Sequence, residues 1–176
     1  MWNFSGRQND KQWKYNLENG NWISGINIID EYRLGPQKNL PSDVINNKAR
    51  NQYYLIPFIL GIIGLIFIFK KNLRIFWPIF LLFIFTGIAL KFYLNERVFE
   101  PRERDYALVG SFYTYCIFIG FSFIAISEYF LKYLKNNFSF LFAIAITVTS
   151  PILLSFNNWD DHDRSNRYTA QTLAKA

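Results

Sequence analysis

Four stretches of the chain carry no charged residue over nearly the length that a membrane helix needs. They are residues 51–69 (NQYYLIPFILGIIGLIFIF), 75–90 (IFWPIFLLFIFTGIAL), 106–127 (YALVGSFYTYCIFIGFSFIAIS) and 136–159, bounded by Arg50 and Lys70, Arg74 and Lys91, Asp105 and Glu128, and Lys135 and Asp160. A bilayer core of about 30 Å is crossed by about 20 helical residues rising 1.5 Å each. The second stretch reaches that length if Lys91 snorkels outward, because Phe92, Tyr93 and Leu94 extend it. Helices of a soluble bundle show a polar face every 3.6 residues. Ile59–Phe69 and Ile75–Phe85 show none. The pattern predicts an all-α, polytopic integral membrane fold with four transmembrane helices, at about 53–69, 75–94, 107–127 and 138–156.

Four spans divide the rest of the chain by parity. Residues 1–52, the loop 92–106 and the tail 157–176 share one side of the membrane. The short basic turns 70–74 (KKNLR) and 132–137 (KYLKNN) share the other. Tyr53, Tyr54, Trp77, Tyr93, Tyr106, Tyr113, Tyr129, Tyr133 and Trp159 fall mostly near span ends, where an interfacial aromatic belt would lie. Pro57, Pro78 and Pro151 also sit near span starts or ends, where a lost helical hydrogen bond costs least. Glu128 stands at a span edge, four residues before Lys132, and the two are expected to pair on one helix face. A proton relay at Glu128 is the alternative.

Composition supports this division. Hydrophobic residues make up 51% and charged residues 18% of the 176, against about 25% charged in a soluble domain. The net charge of +6 would suggest nucleic acid in a soluble protein. Here five of the 19 basic residues lie in the two membrane-edge turns, and the rest share segments with twelve acids. No nucleic-acid partner is expected. The raw Lys/Arg count, 14 against five, favours cytoplasmic long segments. Cys116 and His162 are the single Cys and the single His, which excludes a disulfide framework and a Cys-based or multi-histidine metal site.

Candidate chemistry lies in the three polar segments. Residues 1–52 form a polar, aromatic segment with turns at Gly20, Gly25 and Gly35-Pro36, too aromatic for a disordered tail. It is expected to lie against the membrane with short helices. Its aromatics and basic residues either contact lipid headgroups or a sugar, or pack on the rest of the protein. In the loop NERVFEPRERDY at 95–106, Arg102, Arg104 and Asp105 stand just before the third span. Guanidinium groups suit bidentate phosphate binding; an internal salt-bridge cluster is the alternative. In the tail, Asp160, Asp161 and Asp163 surround His162, with Arg164 following. Clustered carboxylates suit a divalent metal or acid–base work. They equally suit the start of a helix running from Arg164 to Ala176. No cofactor is implied, and a divalent metal stays open.

The ordered runs WNFSGRQND (2–10), GNWISGI (20–26), NNKARNQYYLIPFILGIIGLI (46–66), PRERDYALVGSFY (101–113) and NWDDHDRSNRYTA (158–170) resemble a family of large bacterial polytopic inner-membrane proteins first catalogued as a domain of unknown function. That family is related to an animal protein O-mannosyltransferase and is placed among the GT-C glycosyltransferases. The resemblance covers nearly the whole chain. It implies a sugar, mannose being the first candidate, passed from a polyprenyl-phosphate carrier to a protein or glycan acceptor at the periplasmic face. The long segments would then be periplasmic, against the charge count. Arg102 and Arg104 would meet the phosphate. Asp105, Asp160, Asp161, His162, Asp163 and Arg164 would contact substrate, acceptor or metal. Family members look longer, and nothing here matches the external loop that usually carries the catalytic acid. The base is therefore expected outside this chain, with the rest of the full-length polypeptide as partner. An N-terminus without a signal peptide and an end at Ala176 without a capping signal agree with a fragment of a longer protein, inactive alone. The rival from another class is a non-catalytic membrane scaffold or assembly subunit. A transporter is disfavoured, since the span interiors hold no ionisable residue.

Overall fold

The computed structural model describes residues 2–9, 20–95 and 105–162. The uncharged stretches fold as helices. α3 (Ile56–Lys71) begins after Tyr54 and Leu55, both at positive φ, with Pro57 in its first turn, where a missing N–H costs nothing. Asn72 ends it and starts the next helix: its backbone N–H reaches Ile68 O, and its side chain accepts from the N–H groups of Arg74 and Ile75 at 3.1 and 3.3 Å. α4 (Leu73–Ile84) passes through a π-helical turn (Phe85–Ala89) into α5 (Leu90–Leu94), making one rod from Leu73 to Leu94. A 3-10 turn (Asp105–Leu108) leads into α6 (Val109–Phe130), and α7 (Asn136–His162) closes the bundle.

Three of these rods are long and apolar enough to cross a membrane: Leu73–Leu94, Tyr106–Phe130 and Asn136–Trp159. Their apolar windows are only 17%, 33% and 17% buried. A soluble bundle would turn such surface inward. Ile59, Trp77, Leu82, Phe85, Phe138, Leu141 and Ile152 instead point out of the bundle. α3 is apolar but has 16 residues, about 24 Å of helix, short of the bilayer core.

α6 is the central helix, packed on α3, α4 and α7. Its seam with α3 is close because glycines line it. A Cβ at Gly64 would lie 1.7 Å from Phe118 O, and one at Gly61 2.3 Å from Tyr115 Cζ. Small residues let helix backbones approach in a membrane, where dispersion and hydrogen bonds replace the hydrophobic drive. Around this seam Leu60, Ile68, Phe76, Phe83, Tyr115, Phe118 and Ile119 form the core, and Tyr115 OH donates to Phe58 O at 2.7 Å.

The N-terminal segment is a cap on one end of the bundle. It contains two short helices, α1 (Asn27–Leu34) and α2 (Ser42–Ile45), as expected, and a small pairing that the all-α expectation lacked. β1 (Gly6–Arg7) runs antiparallel to β2 (Asn51–Gln52), with Gly6 opposite Gln52, and Arg7 also bridges to Trp22. Gly6 has φ 135°, and a Cβ there would lie 2.5 Å from the carbonyls of both Ile23 and Asn51. Only glycine fits between those strands. Phe4 pins the cap down, its ring 4.5 Å from Tyr115 and 6.0 Å from Phe112.

Three expectations are corrected. Glu128 takes Lys71 of α3 on both oxygens, at 2.7 and 2.9 Å, instead of its helix neighbour Lys132, because the α3 and α6 ends are adjacent. Pro151 lies inside α7, which continues eleven residues beyond it to His162. For the same reason Asp160, Asp161 and His162 prolong α7 and do not open a new helix. Asn157 and Asn158 Nδ2 donate back to Leu153 and Leu154 O, so polar side chains accompany the helix past its apolar part.

Candidate functional site at the capped end

The cap is organised around a buried carboxylate. Asp30 in α1 is 2% exposed, and accepts from Ser24 N–H and Ser24 Oγ at 2.9 Å and from Gly25 N–H at 2.8 Å. Gly25 can present its N–H because it holds φ 82°. Burial lowers the Arg50 guanidinium from its usual range, and the Asp30 charge pulls it part of the way back. Arg50 also donates to Gln37 Oε1 at 3.1 Å. The Arg33 guanidinium lies 3.8 Å over the Trp22 ring and donates to Trp22 O. Gln8 ties the first strand to this turn, its side chain donating to Gly20 O at 2.9 Å.

A second network joins the cap to α7. Asn158 Oδ1 accepts from Asn51 Nδ2 at 2.9 Å and from Tyr53 OH at 3.0 Å, and its Nδ2 lies 2.8 Å from the same hydroxyl. Asn51 and Tyr53 are each 5% exposed and the bonds are partly buried, so leaving those two side chains without partners would be costly. The residue before Asp160 is Trp159, which projects outward at 76% exposure.

This geometry places the sequence-derived candidates as follows. Asp160, Asp161 and His162 are the last three residues of α7, within one turn of Asn158, and so stand at the capped end. Asp105 opens the 3-10 turn before α6 at that same end. Arg102, Arg104, Asp163 and Arg164 lie outside the described residues. The side chains of Asp105, Asp160, Asp161 and His162 lie outside what the structure describes, and among the described side chains no three of His, Cys, Asp or Glu gather into a metal-binding group. Sequence reasoning did not single out Asn51, Asn158, Asp30 or Gln8, whose roles depend on pairings across as many as 107 positions.

Beside the cap, the end of α4, the π-helical turn, α5 and the start of α6 line an open groove of about 390 Å³. Phe83, Ile88, Phe92, Leu108 and Phe112 make its walls, and Asn3, Lys91 and Ser111 supply its polar atoms. The π-helical turn helps to form it: Thr86 Oγ1 bonds back to Leu82 O at 2.7 Å. Gly87 and Gly110 let the two helices touch there, with Cβ positions 3.0 Å from Ser111 and 2.8 Å from Thr86. π-Turns inside α-helices occur frequently at functional sites.

Together these elements define a class, a helical protein with apolar rods of membrane-spanning length and a hydrogen-bonded polar cap at one end. Comparison with protein-family models, with curated proteins and with solved structures found no match to the chain.

Proposed function

We propose that this chain is the four-span portion of a GT-C-like glycosyltransferase, carrying a sugar, mannose being the first candidate, from polyprenyl phosphate to a protein or glycan acceptor. In this reading α3 is the fourth span, completed by flanking residues. The cap, the loop before α6 and the end of α7 face the periplasm of a bacterial inner membrane. Arg102 and Arg104 hold the carrier phosphate, while Asp105, Asp160, Asp161, His162, Asp163 and Arg164 contact sugar, acceptor or a divalent metal. The catalytic base belongs to polypeptide beyond this chain.

The observation that carries the reading is the convergence of its motifs. Phe4 from the first run packs at the capped end, and Asn51 and Tyr53 from the third bond Asn158 from the fifth. Segments far apart in sequence thus meet at one polar end of the bundle beside apolar helices, a layout that suits transfer from a membrane-embedded donor. The test is transfer of labelled sugar from polyprenyl-phosphate mannose by the intact polypeptide in detergent. Arg102→Ala with Arg104→Ala should cut transfer at least about 100-fold, the scale for losing preorganised cationic donors. Absence of both donor binding and turnover in the intact polypeptide sinks the proposal. A reporter fused at Ala176 should be active only in the periplasm; cytoplasmic fluorescence instead refutes the topology.

One observation favours the non-catalytic scaffold. The buried Asp30 carboxylate is spent on internal bonds that stiffen the cap. A scaffold would keep partner binding when Arg102 and Arg104 are removed, and would show no sugar transfer.

A further inference from the structure

We propose that the end of the bundle opposite the cap binds the headgroups of anionic phospholipids through Lys70, Arg74, Lys132 and Lys135. The proposal rests on bilayer insertion of the rods Leu73–Leu94, Tyr106–Phe130 and Asn136–Trp159, and not on sugar transfer. Charge is segregated at this end. Residues 70–74 and 128–137 carry five basic residues and one acid, Glu128. That acid is already taken, because Lys71 Nζ donates to both of its oxygens at 2.7 and 2.9 Å. The clasp uses the single carboxylate and one of the five cations. Among the described residues nothing hydrogen-bonds to or pairs with the side chains of Lys70, Arg74, Lys132 or Lys135, and all four are exposed. Four like charges gathered on one end of a bundle repel one another, and an anionic partner relieves that repulsion.

The four are held near one another before any ligand arrives. Asn72 joins α3 to α4, and the Lys71–Glu128 pair joins α3 to α6. Ser139 Oγ donates to Ser127 O at 2.7 Å, fastening the start of α7 to the end of α6. Between those two helices the N–H groups of Leu131 and Leu134 bond back to Ser127 O and Phe130 O, so the connection is wound tight. Binding therefore orders side chains only, which keeps its entropic cost low. Depth selects a lipid over a soluble partner. Each of the four cations lies within three residues of a rod end, at Leu73, Phe130 or Asn136. Exposed Trp77, one turn into α4, and exposed Tyr129 and Tyr133, with rings 5.7 Å apart, mark the same level as an interfacial aromatic belt. Lipid phosphates lie at that level, and basic residues there attract them.

The test places the full chain in phosphatidylcholine vesicles carrying spin-labelled phosphatidylglycerol or spin-labelled phosphatidylcholine, and reads the motionally restricted fraction of each. A preference for phosphatidylglycerol is expected, and it should collapse in about 0.5 M sodium chloride. Lys70→Gln, Arg74→Gln, Lys132→Gln and Lys135→Gln together should lower the preference by about fivefold with helicity unchanged, since all four positions are exposed. Glu128→Gln should raise it, because Lys71 is then released to the lipid. An unchanged preference in the fourfold variant, or one that survives the salt, overturns the assignment. So does an equal drop in Lys38→Gln, a change at the capped end. Polyglutamate retained by the protein in pure phosphatidylcholine and lost in the fourfold variant, with the lipid preference unmoved, overturns it in favour of an acidic protein partner. Absence of restricted phosphatidylcholine refutes bilayer insertion and the assignment with it. None of these readouts uses sugar transfer, so failure here is separable from failure of the glycosyltransferase reading.

Discussion

Gly64 is the position where one methyl group should do the most damage. Its Cβ would stand 1.7 Å from Phe118 O, half the 3.4 Å of an ordinary contact, and 2.8 Å from both Phe118 C and Ser122 N. These are backbone atoms of a helix, which no rotamer change can move aside. Gly64→Ala must therefore push α3 away from α6 by more than 1 Å along the seam that buries Leu60, Ile68, Tyr115 and Phe118. A gap of 0.5–1 Å already forfeits about a quarter to a half of each dispersion contact. Overpacking of a tight interior costs about 1–3 kcal/mol, and this case should reach about 3 kcal/mol. Gly120 on α6 provides the control, because a Cβ there meets nothing within 4 Å. Gly120→Ala should be neutral, or stabilising by up to about 1 kcal/mol through helix propensity. Both variants would be unfolded by dodecyl sulfate titration in mixed micelles, with helicity followed by circular dichroism. Equal midpoints for Gly64→Ala and Gly120→Ala would falsify the close-seam argument.

Further outcomes follow from the cap and the opposite end. Asp30→Ala leaves the N–H groups of Ser24 and Gly25 without their acceptor, at about 1–3 kcal/mol each, so limited proteolysis should cut near residues 20–26 while the helices persist. An uncut cap in that variant would show that the carboxylate does not hold the turn. Asn158→Ala removes the link between α7 and the cap; hydrogen exchange should rise at Asn51–Tyr53 and stay constant at Lys71–Arg74. Lys71→Gln should lower stability by less than about 1 kcal/mol, because the pair with Glu128 is about half exposed, and a double-mutant cycle with Glu128→Gln should give a coupling that shrinks with added salt.

The uncharged runs alone specified the long helices, because apolar side chains without a polar face leave the backbone no solvent partner except itself, although the first run opens as β2 and a turn before its helix starts at Ile56. Turns at Gly20, Gly25 and Gly35 were legible for a different local reason, the missing Cβ that lets glycine adopt the positive φ each of them has. The clustering of Asp160, Asp161 and His162 in sequence was equally plain. Whether they opened a new helix or prolonged α7 was not, since Asn and Asp suit a cap and a helix end alike.

The sequence by itself determined an apolar helical bundle with polar segments gathered toward one end, since hydrophobic length and charge are properties of local runs. The tertiary structure alone decided that Asn158 meets Asn51 and Tyr53, that Lys71 takes Glu128, and that Gly64 lets α3 and α6 touch. It also opened the groove beside Lys91. Those contacts join residues far apart along the chain, and their partners are chosen by packing, which no local pattern encodes.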